Sequence, residues 1–216
     1  MKKPERLLAE KFLQASAIKL QPDIPFVWGS GWNSPIYNDH RRLLSYPTLR
    51  NLIKIEIAKI VIEQFPEAQA IASVSTGAIP MGTLVADALG FPFAYVRDTP
   101  KDHGLENRIE GNLRPGWKVV LFEDLITTGA NSVKAKEAVE ANGCEAVGLI
   151  TAFSYEFPMA VKRLKDADIR VTSLFTYEEM LQAAVDMEYI RPADLSVLEL
   201  WRTDPAGWAP NNDRNF

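Results

Sequence analysis

The stretch "KVVLFEDLITTGANS", Lys118 to Ser132, runs an apolar segment into two adjacent carboxylates, Glu123 and Asp124, and then into a Thr-Thr-Gly turn. Residues 118–122 read as a buried strand, because a short apolar run rich in β-branched and aromatic side chains fits a sheet interior. The "TTGAN" that follows supplies two hydroxyls, a permissive glycine and consecutive backbone N–H groups ahead of the helical pattern "SVKAKEAVEANG". Unpaired N–H groups at the positive end of a helix dipole attract an anion such as phosphate. Acceptor-only carboxylates would repel that anion, so both halves serve one ligand only if it carries hydroxyls beside its phosphate, as a ribose 5-phosphate does. The reading expects Glu123 and Asp124 at the strand's end, both pointing into the crevice. The same residues also suit an ordinary strand-to-helix turn with Thr127 or Thr128 as its N-cap.

Outward from this stretch the pattern alternates. The strand "AIASV", the small-residue turn "STGAIP" and a helix "MGTLVADALG" ended by Gly90 lead to the strand "FPFAYV". After the acidic stretch come the strand "EAVGLITAF", a helix near 159–165, the strand "IRVTSLF" and the helix "TYEEMLQAAVDM". Strands alternating with helices predict an α/β fold with a central, mainly parallel sheet flanked by helices on both faces. Ligands of such sheets bind at the carboxyl ends of the strands. Attention therefore falls on the turn after "AIASV", the polar stretch of residues 97–116, and the acidic turn.

Before the alternating unit, an amphipathic helix over about residues 4–15 and an aromatic segment with a hairpin at Gly29-Ser30-Gly31 suggest a small N-terminal cap. The segment "TLRNLIKIEIAKIVIEQF" is an amphipathic helix with Leu49, Leu52, Ile53, Ile57, Ile60 and Val61 on one stripe. Residues 1–216 are expected to form one domain, with a cap over about 1–45, a core over about 46–190 and a tail over about 191–216 that caps or edges the core.

Composition narrows the function. A 47% hydrophobic, 24% charged chain suits a globular protein, and a net charge of −4 offers no surplus of basic groups for nucleic acid. The single cysteine, Cys144, excludes an intrachain disulfide and a cysteine metal cluster. Charges interrupt the N-terminal segment, so it does not read as a signal peptide, and no run nears the roughly 18 apolar residues of a membrane span. A cytoplasmic protein, bound to neither nucleic acid nor membrane, is expected. Neither a P-loop nor a dinucleotide-binding glycine fingerprint is present.

The pattern "VVLFEDLITTGANS" resembles the phosphoribosyl-pyrophosphate motif of type I phosphoribosyltransferases. Two further segments resemble those of the orotate phosphoribosyltransferase family within it: the loop pattern in "YVRDTPKDHGLENRIEGNL" and the N-terminal "FVWGSGWNSPIYNDHRRLLSYP". The tail "LWRTDPAGW" also fits. The resemblance spans nearly the whole chain and implies a type I phosphoribosyltransferase fold with a small N-terminal hood. It implies transfer of the phosphoribosyl group to orotate, giving orotidine 5′-monophosphate and pyrophosphate in pyrimidine biosynthesis, with Mg²⁺ held through pyrophosphate, ribose hydroxyls and water rather than by direct protein ligands. It also implies a homodimer.

By the same resemblance, phosphoribosyl pyrophosphate is bound by Glu123, Asp124, Leu125, Ile126, Thr127, Thr128, Gly129, Ala130 and Asn131. The two acids take ribose hydroxyls and Thr127 through Asn131 take the 5-phosphate. Ser75, Thr76, Gly77 and Ala78 would cradle pyrophosphate with backbone N–H groups. Arg97, Lys101 and His103 would lie on a loop that neutralises pyrophosphate in the neighbouring subunit's site, with Lys101, His103 and Asp124 catalytic. Orotate would meet Thr127, Tyr37 and Tyr155. The chain departs from the family where some members have a lysine at Gly29, an arginine near "SYEFP", and a further loop lysine before Lys101. The competing readings are a phosphoribosyltransferase for another base, a non-catalytic regulator that binds phosphoribosyl pyrophosphate, and a plain sugar-phosphate binding domain. The cationic loop and the absence of a basic stripe disfavour the last two.

Overall fold

The computed structural model describes residues 3–98 and 108–210. In chain order the elements are α1 (Pro4–Gln14), β1 (Ile18–Leu20), β2 (Phe26–Val27), β3 (Asn33–Ser34), β4 (Ile36–Asn38), a 3₁₀ turn at His40–Ser45, and α2 (Pro47–Gln64). Then follow β5 (Ala70–Val74), α3 (Ile79–Leu89), β6 (Phe93–Val96), β7 (Ile109–Glu110), β8 (Lys118–Ile126), α4 (Ala130–Ala141) and β9 (Glu145–Ser154). The chain continues through α5 (Pro158–Asp166), β10 (Val171–Ser173), α6 (Tyr177–Asp186), a 3₁₀ turn at Pro192–Asp194 and α7 (Leu195–Thr203).

Six strands form the central sheet in the order β10-β9-β8-β5-β6-β7. All neighbours are parallel except β7, which runs antiparallel to β6. Every residue of β5 is buried, as a central strand covered on both faces requires. The order of winding reverses between β5 and β8, because β5 leads through α3 to β6 on one side while β8 lies on the other. Such a reversal leaves a crevice at the carboxyl ends of the two strands. The turns at 75–78 and 127–129 therefore flank one opening.

Local sequence explains the element ends. Gly90 adopts φ 67, the left-handed conformation that closes α3. Thr176 and Glu179 form a reciprocal capping box at the start of α6. On α2, Leu49, Ile53, Ile57 and Val61 are buried at four-residue spacing, with Leu52 and Ile60 partly buried beside them. Three boundaries differ from the expected ones. The strand β8 continues through the acidic pair to Ile126, α4 begins at Ala130, and the polar stretch 97–116 contributes the edge strand β7.

The hood is a pair of two-stranded ribbons, β1 with β4 and β2 with β3. Its hairpin turns at Gly31, φ 86, with Trp28 N–H donating to the Trp32 carbonyl at 2.9 Å. The Trp28 ring meets Tyr155 at 5.2 Å and Trp201 of α7 at 5.7 Å, and Trp201 Nε1 donates to the Asn33 carbonyl at 3.2 Å. Tail and hood are thus one packed unit. The helix α1 lies instead on the core side, with Phe12 edge-on to Phe175 at 5.0 Å.

Candidate active site

Because β8 runs through the acidic pair, Glu123 and Asp124 project to opposite faces of the sheet. This corrects the expectation that both point into the crevice. Glu123 is buried beneath α4, where its Oε2 accepts a hydrogen bond from the Ser132 hydroxyl. Burial pushes its carboxyl up to about 7, a shift that the Ser132 hydrogen bond opposes.

Asp124 turns the other way, into a crevice of about 440 Å³ walled by the hood residues Asn38, His40 and Arg41 and by Thr76 and Gly77. Burial raises its carboxyl, while His40 and Arg41 draw it back down. Gly77 sits so close that a Cβ built there would lie 2.2 Å from Asp124 Oδ2, so any side chain at this turn would push the acid aside.

His40 ties the hood to this strand. Its Nδ1 lies 2.8 Å from the Asp124 backbone oxygen; a carbonyl only accepts, so Nδ1 carries the proton. The ring is buried edge-on against Phe12 at 5.1 Å, and burial lowers its pKa below the ordinary histidine value. Its Nε2 has no hydrogen-bond partner among the described residues.

Beyond Ile126, which is fully buried, Thr127 and Thr128 stand half-buried ahead of α4. Neither threonine is the N-cap: that position is Gly129, at φ 72, and no side chain caps the helix. The leading N–H groups of Ala130 and Asn131 thus have no intrahelical partner. Arg163 of α5 donates to the Thr128 carbonyl, and Leu164 packs within 3.0 Å of where a Cβ on Gly129 would stand. On the other side of the crevice, Ser75 N–H donates to the Val96 carbonyl at 3.0 Å and the Ser73 hydroxyl to the Ala78 carbonyl at 3.2 Å, bracing the 75–78 turn.

Arg97 follows β6, is paired with Glu110 at 3.5 Å, and borders a small gap with Ser75, Asn131 and Lys134. Lys134 in turn pairs with Asp98 at 3.5 Å. Lys101 and His103 lie outside the described residues. Leu125 lines the main crevice beside Asp124.

The two tyrosines expected at orotate do not line the crevice. Tyr155 is buried, stacked on Phe157 at 5.0 Å between the indoles of Trp28 and Trp201, which corrects its expected role. Tyr37 is exposed and packs on Phe26 at 5.4 Å; its neighbour Asn38, on the alternate face of β4, lines the crevice instead. At the position where the resemblance suggests an arginine, Glu156 pairs with Arg202 at 3.5 Å.

Sequence reasoning missed His40, Arg41, Lys134 and Arg163. The "DHRR" run was a visible basic cluster, but the His40–Asp124 bond joins positions 84 apart and leaves no local signature.

No family model matches the chain. It is 56% identical to the orotate phosphoribosyltransferase of Phocaeicola vulgatus over 208 residues, which cover 96% of this chain and 98% of that protein. The enzyme of the same name from Porphyromonas gingivalis is 48% identical over 96% of this chain and 99% of that protein. Among solved structures, orotate phosphoribosyltransferase from Aeropyrum pernix superposes with a TM-score of 0.73 at 26% identity, over 85% of this chain and 99% of that one. The Leishmania donovani UMP synthase structure gives 0.77 at 23% identity, over 93% of this chain and 42% of that one, a likeness of fold. Near-full-length identity above half, on a chain whose parallel sheet carries the acidic strand and the uncapped helix turn at one crevice, places this protein in the orotate phosphoribosyltransferase family.

Proposed function

We propose that the protein transfers the 5-phosphoribosyl group of phosphoribosyl pyrophosphate to the ring nitrogen of orotate, forming orotidine 5′-monophosphate and releasing pyrophosphate. The observation that carries this reading is the meeting of Asp124 with the 75–78 turn at the β5–β8 crevice, beside a small gap where Ser75 meets Asn131 at the uncapped start of α4. The N–H groups of α4 hold the 5-phosphate, Asp124 accepts from ribose hydroxyls, and the turn at Ser75, Thr76, Gly77 and Ala78 receives the diphosphate. Breaking the bond from the anomeric carbon to diphosphate leaves positive charge on the ribose and negative charge on the leaving group. The Asp124 carboxylate steadies the first, and Arg97, Lys101 and His103 the second. No covalent intermediate is required.

Glu123 acts from below the turn, through its hydrogen bond with Ser132, and its burial disfavours the charged form, which lessens the repulsion of a bound phosphate. Mg²⁺ fits as a companion of the substrate. Among the described residues no three His, Cys, Asp or Glu side chains converge on a cage, while Asp124 presents a hard oxygen donor at the crevice. When bound, it would neutralise charge on the diphosphate and ribose oxygens.

We further infer a homodimer in which Arg97, Lys101 and His103 serve the neighbouring site, and action in the cytoplasm, where a buried unpaired Cys144 stays reduced. No helix is long and apolar enough to cross a membrane among the described residues. The test is loss of orotate absorbance on adding phosphoribosyl pyrophosphate and Mg²⁺. Turnover with another nucleobase but not with orotate would move the acceptor assignment to that base.

A further inference from the structure

We propose that Arg41 is an additional substrate-binding residue, whose guanidinium clamps the diphosphate group of the donor substrate; the inference rests on the reaction proposed above. Arg41 follows His40 in the 3₁₀ turn that leaves the hood, and it lines the same crevice as Thr76, Gly77 and Asp124. Its Nε donates to Asp39 Oδ1 at 2.7 Å, which orients the guanidinium plane and uses one of its donors. The side chain is 69% exposed, and its terminal nitrogens have no partner among the described residues. A planar fork with two parallel N–H donors, held by its third nitrogen, suits bidentate contact with phosphoryl oxygens.

The other described cations near the crevice are engaged by the protein. Arg97 pairs with Glu110, Lys134 with Asp98, and Arg163 with the Thr128 carbonyl. The loop itself places Asp98, Thr99 and Pro100 between Arg97 and Lys101, with no further basic residue. A diphosphate entering the 75–78 turn thus faces Arg41, the Lys or Arg side chain that lines this crevice among the described residues, with its terminal nitrogens open. Asp39 and Asp124 both lie within its field and draw on its charge. The clamp therefore works through directed hydrogen bonds more than through a surplus of charge.

The orotate carboxylate is the other anion this guanidinium suits, and the experiment separates the two. Wild type, Arg41→Gln and Arg41→Lys are compared by calorimetric titration with inorganic diphosphate and by steady-state KM for each substrate. Removing a charged hydrogen-bonding pair at an exposed site should weaken diphosphate binding and raise the donor KM roughly 10- to 100-fold. The orotate KM should move by less than about threefold, and Arg41→Lys should recover only part of the loss because a point charge lacks the fork. Unchanged diphosphate affinity in Arg41→Gln overturns the proposal, as does a rise in the orotate KM alone, which would assign the guanidinium to the base. If the wild-type protein fails to consume orotate yet Arg41→Gln still loses diphosphate, the acceptor assignment fails and this inference stands.

Discussion

A single alternation in β8 governs the chemistry available to the acidic pair. The sheet sends Glu123 into the interior and Asp124 into the crevice, so two adjacent carboxylates have different environments. Burial holds Glu123 at about 7 against an ordinary value of 4.5, so the folded protein keeps a proton that the unfolded chain has released. The contribution of Glu123 to stability is therefore fully present below the unfolded value and is lost as pH rises from about 4.5 to 7, a change on the order of 3 kcal/mol. Glu123→Gln removes this contribution. Thermal melts at pH 5 and pH 8 should show the variant losing less stability than wild type over that interval; an identical loss in both proteins would contradict the buried-acid account. That two acids stood at a sheet edge beside an anion turn was legible in the sequence. Their opposite orientation was not, since a strand ending at Phe122 and one ending at Ile126 share the same apolar run.

At the scale of elements, the crevice exists because two loops approach closely after β5 and β8. Gly77 permits that approach, and a methyl group there would displace Asp124. Gly77→Ala should keep the fold, since the site is a turn, while lowering turnover by about 100-fold, the penalty of an ångström-scale misplacement. Circular dichroism with kinetics on the same sample tests this, and near-normal turnover would show that the turn tolerates the shift. The hood offers the complementary case. Trp201 is fully buried among Trp28, Tyr155 and Phe157, and its Nε1 also meets the Asn33 carbonyl. Trp201→Ala should cost about 3–5 kcal/mol in denaturant unfolding, a cavity penalty; a cost below about 1 kcal/mol would mean that the hood closes without it. The strands and helices of the core were readable from their periods, whereas the union of hood and tail was not. It joins residues at opposite ends of the chain through ring contacts that carry no spacing signal.

For the whole molecule, the proposed sharing of loop residues between neighbouring sites would have a consequence that kinetics can read. Lys101→Ala should lower turnover by two or more orders of magnitude, as the loss of one electrostatic donor does elsewhere, and Asp124→Asn should do the same from the other wall. Mixed and re-associated, the two inactive chains would regain about a quarter of wild-type activity if they pair at random, because half the dimers are mixed and each holds one intact site. No recovery despite verified mixing would place the loop in its own subunit's site. Finally, the distribution of indoles makes the hood optically distinct. Of the five tryptophans, Trp28, Trp32 and Trp201 are gathered there, whereas Trp117 stands at the amino end of β8, away from the crevice, and Trp208 lies in the tail after α7. Intrinsic fluorescence is accordingly weighted toward the hood, so any movement of the hood on adding a substrate can be followed without an attached label.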